Sequence, residues 1–169
     1  VISCDYGTVN PSSFGLWGEY NGNWYRLAEY YYSSKREGSS RTDEEHYQAL
    51  EKLAGERKIQ FVIVDPSAAS FIECIKRHGL FNVIPAKNDV LSGIRRVGDL
   101  LKQNRLFFSE TCKDCLREFS LYCWNEKSGV DVPIKENDHA MDDVRYFVSV
   151  VMSNDGNPQD GFFVASLPR

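Results

Sequence analysis

Asp5 ends the apolar run VISC and Asp65 ends FVIV, so each acid sits at the carboxyl end of a segment that reads as a buried strand. That edge is where open α/β sheets hold ligands. A further acidic group lies in NDHAMDDVRYF, where Asp138, His139, Asp142 and Asp143 open an apolar helical pattern. At about 100° per residue, Asp138, His139 and Asp142 share one face. Asp143 falls beside the apolar stripe of Ala140, Val144, Phe147, Val148 and Val151. If Asp5, Asp65 and Asp142 converge, their charges repel unless divalent cations neutralise them, and hard oxygen ligands suit Mg²⁺ or Mn²⁺. Two such ions roughly 3.5–4 Å apart activate a water and stabilise the leaving oxygen in phosphodiester cleavage. The constellation proposes a metal-dependent nuclease. The plain alternative is that Asp5 and Asp65 cap the turns after them, and that Asp138 serves an acidic first helical turn.

The elements that must position these groups change period along the chain. VISCDYG is a short β-run, and SFGLWGEY and NWYRLAEYYYSS flank Asn21-Gly22, a hairpin dipeptide because both turn positions need positive φ. Three antiparallel strands in a meander follow from this. In TDEEHYQALEKLAG, Thr42 is a candidate N-cap with Glu45 three residues on, and Gly55 is the stop. IQFVIVD reads as a buried strand, with Pro66 able to begin a helix through SAASFIECIKRHG. FNVIPA is a short strand, DVLSGIRRVGDLLKQN a helix, RLFFS an extended piece and CKDCLREFSLYCW a helix. NEKSGVDVPIKEN is a candidate hairpin through Ser128-Gly129 that would overhang the acidic helix, which runs through NDHAMDDVRYFVSVVMS until NDGNPQDG breaks it. The expected fold is α/β, a mixed sheet with helices on both faces. The expected division is one domain over 1–153 and a C-terminal tail over 154–169.

The chain has 169 residues, 42% hydrophobic and 13% aromatic, which suits one domain with a real core. No apolar run approaches the roughly 20 residues of a membrane span, and the start VISCDYGT lacks the basic opening of a signal peptide, so a cytoplasmic protein is expected. The first residue is Val rather than Met and stands inside a strand pattern, as expected of a piece of a longer protein. Five cysteines are expected to be reduced thiols; TCKDC has metal-ligand spacing but reads better as helix. A net charge of −4 argues against binding nucleic acid by charge alone. A basic stretch does run from Lys87 to Arg105, and Lys87, Arg95 and Arg96 are its candidate phosphate contacts, a solvated helix face being the alternative.

CDYGTVNPSSFGLWG, FVIVDPSAASF, AKNDVLSGIRRVGDLLKQNRLFF and DHAMDDVRYF together resemble the C-terminal nuclease domain of tailed-phage large terminase subunits, of the ribonuclease-H-like superfamily. The resemblance spans about 1–151, and DHAMDDVRY is its most specific part. It implies a ribonuclease-H-like mixed sheet and metal ligation by Asp5, Asp65 and Asp142. His139 would stand beside the metals as a catalytic residue, while Asp143 stands where many relatives carry a small apolar residue and reads as a spare acid. The implied activity is an endonuclease that cuts concatemeric double-stranded viral DNA in the cytoplasm of the infected bacterial host. The implied partners are an N-terminal ATPase motor on the same polypeptide, a small terminase subunit and a portal. No G-x-x-x-x-G-K-[ST] phosphate loop occurs in these residues. A nuclease handed DNA by a motor can bind it weakly, which accords with the acidic balance.

Three other readings share features of the sequence. DYGT also resembles the first phosphate loop of actin-like and sugar-kinase-like phosphotransferases, which need a second domain with glycine-rich loops. A noncatalytic DNA-docking module would leave the acids as caps. Ribonuclease H or a junction resolvase would keep the fold and change the substrate.

Overall fold

A computed structural model describes residues 1–152, so the expected tail over 154–169 lies outside the described residues. Strands β1 (Ile2–Asp5), β2 (Ser12–Tyr20) and β3 (Asn23–Tyr32) form the antiparallel meander, turning at Asn21 and Gly22 with φ of 52° and 76°. The short helix α1 (Ser34–Glu37) leads into α2 (Asp43–Ala54). Thr42 and Glu45 close a reciprocal capping box at the start of α2, and Gly55 ends it with φ 57°. Next come β4 (Val62–Val64), α3 (Ala69–His78), β5 (Val83–Pro85), α4 (Val90–Lys102), β6 (Leu106–Phe108), α5 (Lys113–Leu121) and α6 (His139–Val151). The sheet order is β5-β4-β1-β2-β3-β6, with β4 parallel to β1, β5 parallel to β4 and β6 parallel to β3.

Alternation along the strands builds a core on each face of this mixed sheet. Ile2, Cys4, Phe14, Val62 and Val64 meet Tyr47 and Leu50 of α2 and Phe71 and Ile75 of α3. On the other face, Trp17, Ile63 and Leu106 pack against Leu100 of α4 and Ala140, Val144, Phe147 and Val148 of α6. The ring of Phe147 stacks on Trp17 with centroids 4.0 Å apart.

Two local expectations differ from the structure. Helix α3 begins at Ala69 rather than Pro66, because the Asp65 carboxylate accepts the Ser67 N–H at 2.8 Å and holds Pro66 and Ser67 in a turn. The excursion through Ser128-Gly129 is not a strand pair. Its arms meet in a single bridge, Trp124 to Pro133, flanked by Asn125 N–H to Val132 carbonyl at 2.8 Å and Ile134 N–H to Cys123 carbonyl at 3.0 Å.

His46 of α2 is 2% exposed amid the rings of Tyr6, Phe14, Tyr30, Tyr32 and Phe71. Burial, helped by the charge of Arg41, lowers its pKa from 6.5 to about 4. Between those values the unfolded chain binds the extra proton, so this residue withdraws stability as pH falls through the window, by up to about 1.4 kcal/mol per pH unit. His46→Gln is expected to flatten that loss, read as the difference between wild-type and variant urea midpoints at about pH 7 and about pH 5.

Candidate active site

Parallel pairing explains why two distant acids meet. Cys4 of β1 lies opposite Val64 of β4, and Asp5 and Asp65 each follow by one residue. They therefore stand level on neighbouring chain segments, which in a sheet run about 4.8 Å apart, and point to the face that carries α6. The first turn of α6 crosses this edge and adds His139 and Asp142. Asp5, Asp65, Asp138, His139, Asp142 and Tyr146 line one cleft of about 310 Å³, with Tyr6, Gly7, Asn10, Ser67 and Lys135 at its walls.

Each carboxylate is held differently. The Asp5 Oδ2 atom is 2.9 Å from Nδ1 of His139. Burial raises the pKa of Asp5 to about 6, with the charges of Asp142 and Asp143 adding to the rise and His139 opposing it. Burial acts to lower the pKa of His139, yet its bond to Asp5 and the Asp5 charge leave it raised. Asp65 accepts from Tyr146 Oη at 2.9 Å and Asn88 Nδ2 at 3.0 Å, as well as from Ser67 N–H. Burial pulls the carboxyl of Asp65 up, but the bonds from Ser67 and Tyr146 and the Arg145 charge hold it below its ordinary value. The Arg145 guanidinium donates to Asn88 Oδ1 at 3.1 Å and lies 2.8 Å from Asp142 Oδ1, tying the supports of Asp65 to Asp142. Lys135, with a side chain 67% exposed, reaches in from the excursion to 3.8 Å from Asp138 and 3.9 Å from Asp142.

Asp138 occupies the N-cap position of α6, but its side chain makes no capping bond. Buried Glu118 of α5 takes the Ala140 N–H at 2.6 Å instead, which leaves the Asp138 carboxylate facing the cleft. Asp143 is not a spare acid. It is 0% exposed and points into the sheet, where it accepts from Arg26 Nη2 at 3.0 Å and from Ser3 at 3.0 Å, and also contacts Arg26 Nη1 and Ser13. Burial pushes its carboxyl up against the pull of that guanidinium.

The basic candidates separate. Lys87 is exposed one residue before Asn88, which holds Asp65, and Arg95 is exposed on α4. Arg96 turns to the Ser149 carbonyl of α6 at 3.4 Å. Sequence reasoning had assigned no role to Tyr146, Asn88, Arg145, Lys135 or Glu118. Arg145 and Tyr146 carried a signal, since they follow Asp142 by three and four residues and so share its helix face.

A mixed sheet in this order, with acids at the ends of its two central parallel strands and on the last helix, is ribonuclease-H-like, and the structural neighbours are large terminase nuclease domains. No family model matches the chain. It is similar to the large terminase of a thermophilic bacteriophage, solved in complex with ADP, at 48% identity and a TM-score of 0.85 over 89% of this chain and 39% of that one. The large terminase subunit of Escherichia phage T5 is 23% identical over 152 residues, 86% of this chain and 34% of that protein. The chain thus spans well under half the length of these two relatives. The nuclease domain of the SPP1 large terminase, solved with bound Mn, has a TM-score of 0.66 at 19% identity, covering 89% of this chain and 86% of that one. The large terminase nuclease of thermophilic phage G20c, solved with bound magnesium, also has a TM-score of 0.66, at 14% identity, covering 88% of this chain and 79% of that one. Among the described residues no helix is long and apolar enough to cross a membrane.

Proposed function

We propose that this chain is a divalent-metal-dependent endonuclease domain that hydrolyses phosphodiester bonds of concatemeric double-stranded viral DNA during genome packaging. The observation that carries the reading is the meeting of Asp5, Asp65 and Asp142 in one cleft, with Asp138 beside them and the exposed Lys135 as the ammonium at its wall. The likeness to phage large terminases supports it.

The donor set fits hard divalent cations. Asp65 Oδ1 carries one hydrogen bond and Asp142 Oδ2 faces only the Lys135 ammonium at 3.9 Å, so both retain lone pairs, and a cation beside Asp5 would offset the burial and the neighbouring Asp142 and Asp143 charges that disfavour its ionised form. Asp5, Asp65 and Asp142 would hold two Mg²⁺ or Mn²⁺, which supply an activated water and charge stabilisation at the leaving oxygen. The protein's own residues do the positioning. Tyr146 and Asn88 fix Asp65, Arg145 braces Asp142 against Asn88, and His139 orients Asp5 while holding a proton at the cleft.

The domain is assigned to 1–153, with 154–169 as a tail. The rest of the polypeptide would carry the ATPase motor, with a small terminase subunit and a portal as partners in the host cytoplasm. Supercoiled plasmid incubated with the protein tests the activity: nicked and linear DNA should accumulate with Mn²⁺ or Mg²⁺ and not with EDTA, and cleavage that survives EDTA would refute the metal requirement.

Tyr146→Phe removes a single donor to Asp65 and keeps the ring. It is expected to reduce cleavage or metal affinity by roughly 10–100-fold, the usual effect of losing an outer partner of a metal ligand, measured as the Mn²⁺ dependence of plasmid cleavage. Replacing Lys87 and Arg95 together by Ala should weaken DNA binding and flatten its dependence on salt, with a slope change of about 1 per lost phosphate contact. Unchanged slopes in a salt titration would make this stretch a solvated face.

A further inference from the structure

A second cluster of metal-ligating side chains lies on the opposite face of the sheet from α6. Cys74 and His78 are one turn apart on α3 and project from the same side of it. Glu44, in the first turn of α2, meets both. Its carboxylate oxygens lie 2.9 and 3.1 Å from Nε2 of His78, and the Cys74 thiol donates to Oε2 at 3.7 Å. The three ligand atoms all fall within 4.8 Å of one another, and among the described residues no other triple of His, Cys, Asp or Glu comes so close.

Ligands bound tetrahedrally to one ion at roughly 2.0–2.3 Å stand about 3.5 Å from each other, and the observed separations bracket that value. Two of the three groups are already oriented. The imidazole of His78 stacks flat on the ring of Tyr47, with centroids 3.7 Å apart and planes within 6°, and buried Cys74 is packed into the core beneath α2 and α3. Burial and the nearby Glu44 charge keep its thiol protonated when no cation is present. Arg77 now supplies the positive charge, 3.7 Å from Glu44 and 3.6 Å from the Cys74 sulfur. Its side chain is 67% exposed, so it can swing away into solvent.

We propose that Glu44, Cys74 and His78 form a site for one divalent ion of the Zn²⁺ class, with the fourth position open to water. A thiolate, an imidazole and a carboxylate suit that class and do not suit Mg²⁺, which takes oxygen ligands. Binding releases the Cys74 proton and ties α2 to α3. The proposal is independent of the nuclease reading, because it uses none of the cleft residues.

Co²⁺, a spectroscopic substitute for Zn²⁺, tests the site in the intact chain. One equivalent should produce a near-ultraviolet sulfur-to-cobalt charge-transfer band, bleached by Zn²⁺ and not by excess Mg²⁺. The cleft lining contains no cysteine, so Co²⁺ bound there cannot produce the band. Cys74→Ser should abolish it, while Cys123→Ser, at an exposed cysteine, should leave it intact. His78→Ala and Glu44→Gln, at partly exposed positions, should each weaken Co²⁺ binding at least tenfold in proteins first shown to be folded. Absence of the band, its persistence in Cys74→Ser, or unchanged affinity in both His78→Ala and Glu44→Gln would overturn the proposal.

Discussion

Asp143→Ala is expected to lower folding stability by roughly 3–5 kcal/mol, the effect of stripping one partner from a buried ion pair. Arg26 of β3 is 0% exposed and its guanidinium is enclosed by Asp143, by Glu29 at 3.6 Å and by the face of Trp17 at 5.4 Å. Removing Asp143 leaves this charge in the core and orphans the hydroxyls of Ser3 and Ser13. The surroundings are shaped around the pair: a Cβ on Gly15 would collide with the guanidinium, so Gly15→Ala should be destabilising as well. Converting both partners, Arg26→Met with Asp143→Leu, should recover much of the loss, since the isolated charge is what destabilises. Urea unfolding of the three variants measures this. A loss below about 1 kcal/mol for Asp143→Ala would show that the pair is solvated rather than buried.

Asp5→Asn is expected to behave in the opposite way, abolishing cleavage while leaving the fold intact or firmer. Asp5 has an unfolded pKa near 3.8 and a folded one of about 6. A carboxyl raised on folding penalises the native state as pH climbs through that interval, so at about pH 8 the ionised side chain opposes folding. Asparagine keeps an oxygen for His139 and removes the charge that Asp142 and Asp143 repel. The metal-free variant should therefore melt no lower than wild type at about pH 8. Cleavage should fall by more than the roughly 10–100-fold expected for an outer partner, because the proposed direct metal ligand is gone. Asp65→Asn should lose activity equally, without the gain in stability, since Asp65 is already well served by Ser67, Tyr146 and Asn88. A destabilised Asp5→Asn protein would show that Asp5 is a structural acid.

Much of this arrangement was legible in the sequence because the decisive signals were local. Asn21-Gly22 set the hairpin, Thr42 and Glu45 the start of α2, and the abrupt end of two apolar runs marked Asp5 and Asp65. The partners of the site were not local. Arg26 and Asp143 are separated by 117 positions, and the helical pattern that sets Asp143 beside the apolar stripe names no partner for it. The available clue was Arg26 itself, which shares its side of β3 with Trp24, on the face that packs against α6. A cation in that place demands a buried anion. Helix α6 misled in a related way. It is buried nearly all round, with Met141, Asp143, Arg145 and Ser149 covered as well as the apolar stripe, so a one-faced reading undercounted its contacts. The capping of α6 by Glu118 depends on how α5 docks, and no spacing rule connects those residues.

Asp142 and Asp143 are adjacent and have opposite fates, one toward the cleft and one into the sheet. Plasmid cleavage in Mn²⁺ by the wild-type chain and by Asp142→Asn, with both proteins first shown to be folded, tests whether Asp142 serves as a metal ligand. Linear DNA is expected from the wild type and none above the EDTA control from Asp142→Asn. Undiminished cleavage by Asp142→Asn would remove Asp142 from the site.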